Sequence, residues 1–110
     1  MLGQLEKRLG ELRLRRPELV GERLQRLART TQVLLVTHSP QVAARASRHF
    51  RITRVGDATR VVELNDGERV EEIARMLSGA SVTAEARAAA KRLLTEAESS
   101  GNASRKRARA

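Results

Sequence analysis

The residues best suited to chemistry lie in one short stretch, Gln32–Gln41, which reads QVLLVTHSPQ. An apolar run from Val33 to Val36 turns polar at Thr37, His38 and Ser39 before Pro40. If the run is a strand, His38 stands at its C-terminal edge, where open α/β sheets bind their ligands. An imidazole there can serve a ligand, or it can cap the strand and bond a backbone group. Thr37 and Ser39 read as structural, one finishing the strand and the other capping a helix. His49, between Arg48 and Arg51, reads as solvated surface, and Glu71 with Glu72 as a solvated pair on a helix. Two histidines with no matching acidic pair at ligand spacing, and no cysteine at all, make no metal site.

The elements that must position His38 follow from periodicity. Four apolar residues with β-branched ends predict a strand buried on both faces, as a parallel sheet requires. Ser39 and Pro40 predict a helix start: serine is a good N-cap, and proline at the first helical position gives up an N–H that had no intrahelical partner. The short helix is expected over Pro40–Ser47 with Val42, Ala43 and Ala46 inward. Upstream, Val20, Leu24, Leu27 and Ala28 predict a helix over Glu18–Arg29 behind Pro17, with Gly21 as its weak point. No convincing apolar strand precedes Glu18, although a crossover unit needs one, so the chain is expected to be incomplete.

Downstream, Phe50, Ile52 and Val55, then Val61, Val62 and Leu64, flank the turn-like Gly56-Asp57 and predict a hairpin with one wet face. Val70, Ile73, Ala74 and Leu77 predict a helix over Glu68–Leu77, closed by Gly79. Ala86, Ala89, Ala90, Leu93, Leu94 and Ala97 predict another over Ser81–Glu98, started by Thr83. Leu2, Leu5, Leu9 and Leu12 share one face of a helix at the start, a stripe suited to a neighbouring element or to a partner chain. The tail from Ser99, small, polar and basic, is expected to be disordered.

Two blocks together, VLLVTHSPQVAA and ERVEEIARMLSG at Glu68–Gly79, separated by the hairpin, resemble the C-terminal part of the RecN family of bacterial DNA repair and recombination ATPases, of the SMC-like ABC class. The resemblance covers about Leu24 to Ala97. It implies an α/β fold: a partial ABC-ATPase head lobe with one buried strand, a β-hairpin and four to five helices. It implies that His38 contacts the γ-phosphate of ATP and helps position the attacking water, a role an imidazole can fill by donating a hydrogen bond to a phosphoryl oxygen whose charge grows during transfer. ATP and Mg are implied only with the rest of the head, and neither is expected on the chain alone. The implied partners are the remainder of such a head or a second head.

Several parts of such a site have no counterpart in the sequence. GxxxxGK[ST] occurs nowhere, no apolar strand ends in Asp-Glu, and Met76-Leu77-Ser78-Gly79 ends a helix instead of preceding one as a signature motif would. The chain should therefore not hydrolyse ATP unaided. Its 110 residues allow one small domain, organised as an unmatched amphipathic helix at 1–17, the RecN-like subdomain at 18–98 and a basic tail at 99–110.

The net charge is +9, from 22 Lys and Arg against 13 Asp and Glu. Arg105, Lys106, Arg107 and Arg109 fall in the tail, and without these four the net charge drops to +5. Such a cluster could contact DNA phosphates with salt-dependent, sequence-independent affinity. A solvated end with no dedicated partner explains it equally well. One aromatic residue, Phe50, leaves little for base stacking. With no long apolar run and no signal segment, a cytoplasmic location is expected and a membrane partner is not. Two further readings stand beside the nucleotide one: a small basic nucleic-acid-binding protein, and a structural remnant that associates through its leucine stripe.

Overall fold

The computed structural model describes residues 16–109. The leucine stripe at 2–12 lies outside the described residues. The element order is α1 (Pro17–Leu27), α2 (Pro40–Ala43), β1 (Phe50–Val55), β2 (Ala58–Glu63), α3 (Asp66–Ser78) and α4 (Ala84–Arg109). This is the expected mixed α/β partial lobe, with four helices and a two-stranded antiparallel hairpin among the described residues.

The core sits where α3 lies along α4. Ile73 and Ala74 are fully buried, and Ala86, Ala90 and Ala97 meet them from α4, with Ala44 closing the cluster from the end of α2. Alanines at helical spacing let the two helices approach closely, and Val70, Val82, Leu93 and Leu94 pack around the seam. Arg87 Nε donates to Glu71 Oε1 at 2.6 Å across the same pair of helices.

The helix ends are set by local chemistry. Asn65 Oδ1 accepts from the Glu68 N–H at 2.8 Å, while Glu68 Oε1 accepts from the Asn65 N–H at 3.1 Å, a reciprocal cap that starts α3. Gly79 ends it at φ 81°, a conformation open to glycine without strain. Thr83 Oγ1 accepts from the Ala86 N–H at 3.0 Å and starts α4.

α1 crosses α2 at Gly21, which is buried; a Cβ there would stand 2.9 Å from Arg45 Cγ and 3.5 Å from the Gln41 carbonyl oxygen. The glycine that weakens the helix locally is what allows the two elements to meet. Leu27 and Ala28, expected inward, are exposed near the end of this short helix. On its other side α1 reaches α4, where Gln25 Nε2 donates to the Ala97 carbonyl at 3.4 Å.

Three expectations are corrected. The buried strand at Val33–Val36 is not one: the segment from Gln32 to Ser39 belongs to no helix or ladder, and Leu34 is 89% and Val36 83% exposed. A buried strand needs neighbours at both edges, and the only ladder among the described residues joins β1 to β2. The tail, in turn, does not leave the helix at Glu98; α4 continues through Arg109. Ala103, Arg105, Lys106 and Arg107 are good helix formers, and the Ser99 hydroxyl donates to the Thr95 carbonyl at 3.0 Å instead of breaking the turn. In α2, Ala44 turns inward in place of Ala46, because the helix stops after one turn.

Candidate functional site

His38 is the last residue before the N-cap of α2. Ser39 Oγ accepts from the Val42 N–H at 3.5 Å, its hydroxyl donates to Gln41 Oε1 at 3.1 Å, and its own N–H donates to Thr37 Oγ1 at 3.0 Å. Ser39 caps the helix as expected, whereas Thr37 ends no strand and instead accepts from the Ser39 N–H; His38 between them is exposed. The site is a histidine presented on a turn whose two flanking hydroxyls are already engaged.

That turn is held from behind. Val42, Ala43 and Ala44 are buried, and Arg69 on α3 reaches the carbonyl end of α2. Its Nη2 donates to the carbonyls of Ala43 at 3.1 Å and Ala44 at 3.2 Å, and to that of Ala46. Burial draws the Arg69 guanidinium below its usual value, with the carboxylates of Asp66 and Glu98 acting against the shift. A cation on the exposed carbonyls of a helix end is favourable by charge as well as by hydrogen bonding.

His49, expected as solvated surface, is half-buried beside this arginine, and its Nδ1 is sealed from solvent without a hydrogen-bond partner, as is Arg69 Nε. Burial lowers the His49 pKa, the Arg69 charge lowers it further, and Glu72 opposes both. The carbonyl of His49 accepts from the Leu64 N–H at 2.9 Å, tying the residue to the base of the hairpin. Glu72 is also corrected: it is 8% exposed, while Glu71 stays in solvent. Its hydrogen bonds from Arg75 hold its carboxyl below the usual range against burial, helped by the charges of Arg75, Arg51 and His49. Sequence periodicity places Glu72 next to the core residue Ile73, a signal that its charge would need a partner.

His38 and the basic tail are not brought together by any described contact. Lys106 is exposed on α4, and Arg105, Arg107 and Arg109 follow the same helix. α2 is a four-residue helix, and the hydroxyl of its N-cap serine is engaged within the turn.

Comparison with known proteins agrees with this partial character. No family model matches the chain. The DNA repair protein RecN of Rickettsia conorii is 48% identical over 79 residues, 68% of this chain and 14% of the relative. RecN of Mycobacterium tuberculosis is 48% identical over 81 residues, covering 72% of this chain and 14% of the relative. RecN of Xylella fastidiosa is 43% identical over 83 residues, 72% of this chain and 15% of its own length. The described lobe is thus a piece of DNA-repair-protein sequence. It belongs to the RecN family, as a C-terminal part of it. The chain spans only about one seventh of the length of these relatives.

Proposed function

We propose that this lobe works in DNA repair and recombination as the C-terminal piece of a RecN-type, SMC-like ABC ATPase head in the cytoplasm, and that it supplies His38 to an ATP site completed by the rest of the head. The observation that carries this reading is the placement of His38: an exposed imidazole on a turn that directly follows the apolar run Val33–Val36, itself without a ladder partner. A missing sheet neighbour would bury that run and bring its own phosphate-binding residues to the histidine. When bound, the nucleotide supplies the phosphoryl group; His38 contributes a hydrogen-bond donor toward it, and Ser39 and Thr37 fix the turn.

The test is ATP binding and turnover by the purified chain, alone and mixed with a separately made RecN N-terminal head fragment. The expected result is activity only in the mixture, lost with His38→Ala. A folded chain that leaves nucleotide binding unchanged in both samples would sink the reading.

A second reading, sequence-independent DNA contact, is favoured by the continuation of α4 through Arg109, which strings Arg105, Lys106, Arg107 and Arg109 along one helix. It predicts DNA binding that weakens steeply with salt, ignores His38→Ala and disappears when residues 105–110 are removed.

A further inference from the structure

α2 is a single turn of helix, too short to hold itself. Something else must therefore fix the turn that carries His38. On the N-terminal side of α2 the Ser39 cap makes a long bond of 3.5 Å to the Val42 N–H, beside the Ser39 bonds to Gln41 and Thr37. The C-terminal side has the guanidinium of Arg69, which gathers the carbonyls of Ala43, Ala44 and Ala46 on one nitrogen. Arg69 grows from α3, whose Ile73 and Ala74 are fully buried, so this nitrogen is anchored to the most rigid part of the lobe.

We propose that Arg69 is a positioning residue: rooted on α3, it holds the carbonyl end of α2 and so sets where the His38–Ser39 turn stands, and it does this only while the neighbouring His49 is neutral. The proposal rests on the reading of His38 given above and adds to it the device that presents the histidine.

The His49 condition follows from the groups around it. Arg69 faces the ring as a cation, and Glu72 on the same helix is the nearby carboxylate. Glu72 is engaged by Arg75 and also lies in the field of Arg51 from β1. Asp66 and Glu98 act on Arg69, from α3 and α4. Glu72 is shared between Arg75 and His49, and the other two carboxylates act on Arg69. Protonating His49 would also turn its sealed Nδ1 into a donor, beside the equally sealed Nε–H donor of Arg69. The relief open to the cluster is for Arg69 to withdraw toward solvent and release α2.

The experiment is amide hydrogen exchange on the full 110-residue chain, read with the ring signals of His38 by NMR. At about pH 7.5, with His49 neutral, Arg69→Met keeps the apolar stem and removes the nitrogen that holds the three carbonyls. The expected result is an increase of about tenfold or more in exchange at the Ala43 and Ala44 amides, with little change at Ile73 and Ala74. The His38 ring signals should shift in the same sample.

Lowering the pH of the unsubstituted chain until the His49 ring signals report protonation should reproduce the local pattern, expressed as protection factors, and His49→Gln should remove that response. Unchanged α2 protection in Arg69→Met overturns the proposal. So does a loss that is equal at α2 and at Ile73 and Ala74, unfolding included, because it reports stability and not positioning. An α2 indifferent to acid overturns it as well, in an arm that needs no substitution. No nucleotide enters the measurement, so its failure is distinct from that of the His38 reading, which shows only in the mixture with a head fragment.

Discussion

Ile52 and Val61 stand directly opposite each other across the hairpin, and each is 60% exposed. Phe50 lies on the same face, with the guanidinium of Arg48 5.2 Å from its ring centroid while Arg48 also grips Glu63 through two hydrogen bonds of 2.8 Å. An apolar cross-strand pair in water adds little to the isolated lobe. Ile52→Thr together with Val61→Thr should therefore shift the urea midpoint by less than ~0.5 kcal/mol equivalent. A larger loss would mean that the pair is packed in the isolated lobe.

Ile73 is the largest fully buried side chain of the lobe, and it packs at the seam of α3 and α4. Ile73→Ala should cost about 2–5 kcal/mol. Small domains have only about 5–15 kcal/mol in total, so this variant should melt well below the unsubstituted chain by circular dichroism. Ile73→Val, at about 0.5–1.5 kcal/mol, should stay folded.

The reciprocal cap between Asn65 and Glu68 can be measured on its own. Asn65→Ala should lower stability by about 1 kcal/mol. Glu68→Ala should cost less, since its partner N–H can turn to water, and the double variant should cost less than the two singles added together. Strict additivity in that cycle would mean that the two bonds do not support each other.

Acid should weaken the lobe in two separate windows. The pKa of His49 is lowered in the fold, chiefly by burial and then by Arg69, so its contribution is fully present above the unfolded imidazole value. That contribution is lost as pH falls through about 6.5 toward the folded value. The Glu72 carboxyl, held low by Arg75, contributes above the unfolded carboxylate value and is lost only as pH falls below about 4.3. Denaturation midpoints recorded across this range should fall twice, and His49→Gln should remove the upper step alone. A profile of His49→Gln that matches the unsubstituted chain between about pH 7 and 5 would contradict the assignment.

Most elements were legible because their signals are local. The Gly56-Asp57 turn between β-branched runs, the Gly79 stop, and the Val70, Ile73, Ala74 stripe each act within a few residues, and each is found in the structure. The run Val33–Val36 misled for the opposite reason. Its apolar pattern records an environment that other chain segments must supply, and the described residues do not contain them. His49 was missed because its burial depends on Arg69, twenty positions downstream, and on the packing of α3 beneath the hairpin. The tail was read from composition alone, whereas Ala86 to Ala97 had already set a helical phase that residues 99–109 could extend.

The close meeting of α1 and α2 at Gly21 has a mechanical consequence. The two helices meet without a Cβ between them, and one added at Gly21 would stand only 2.9 Å from Arg45 Cγ, so the space left there is less than a methyl group needs. Arg45 in turn bonds Glu22 and Gln25, the next residues along α1, so the contact is pinned as well as tight. A sideways displacement of α1 therefore arrives at Gln41 and Val42 nearly undiminished, three residues from His38. Motion of α1 is thus passed to the turn that carries His38 through a stiff linkage instead of a hinge.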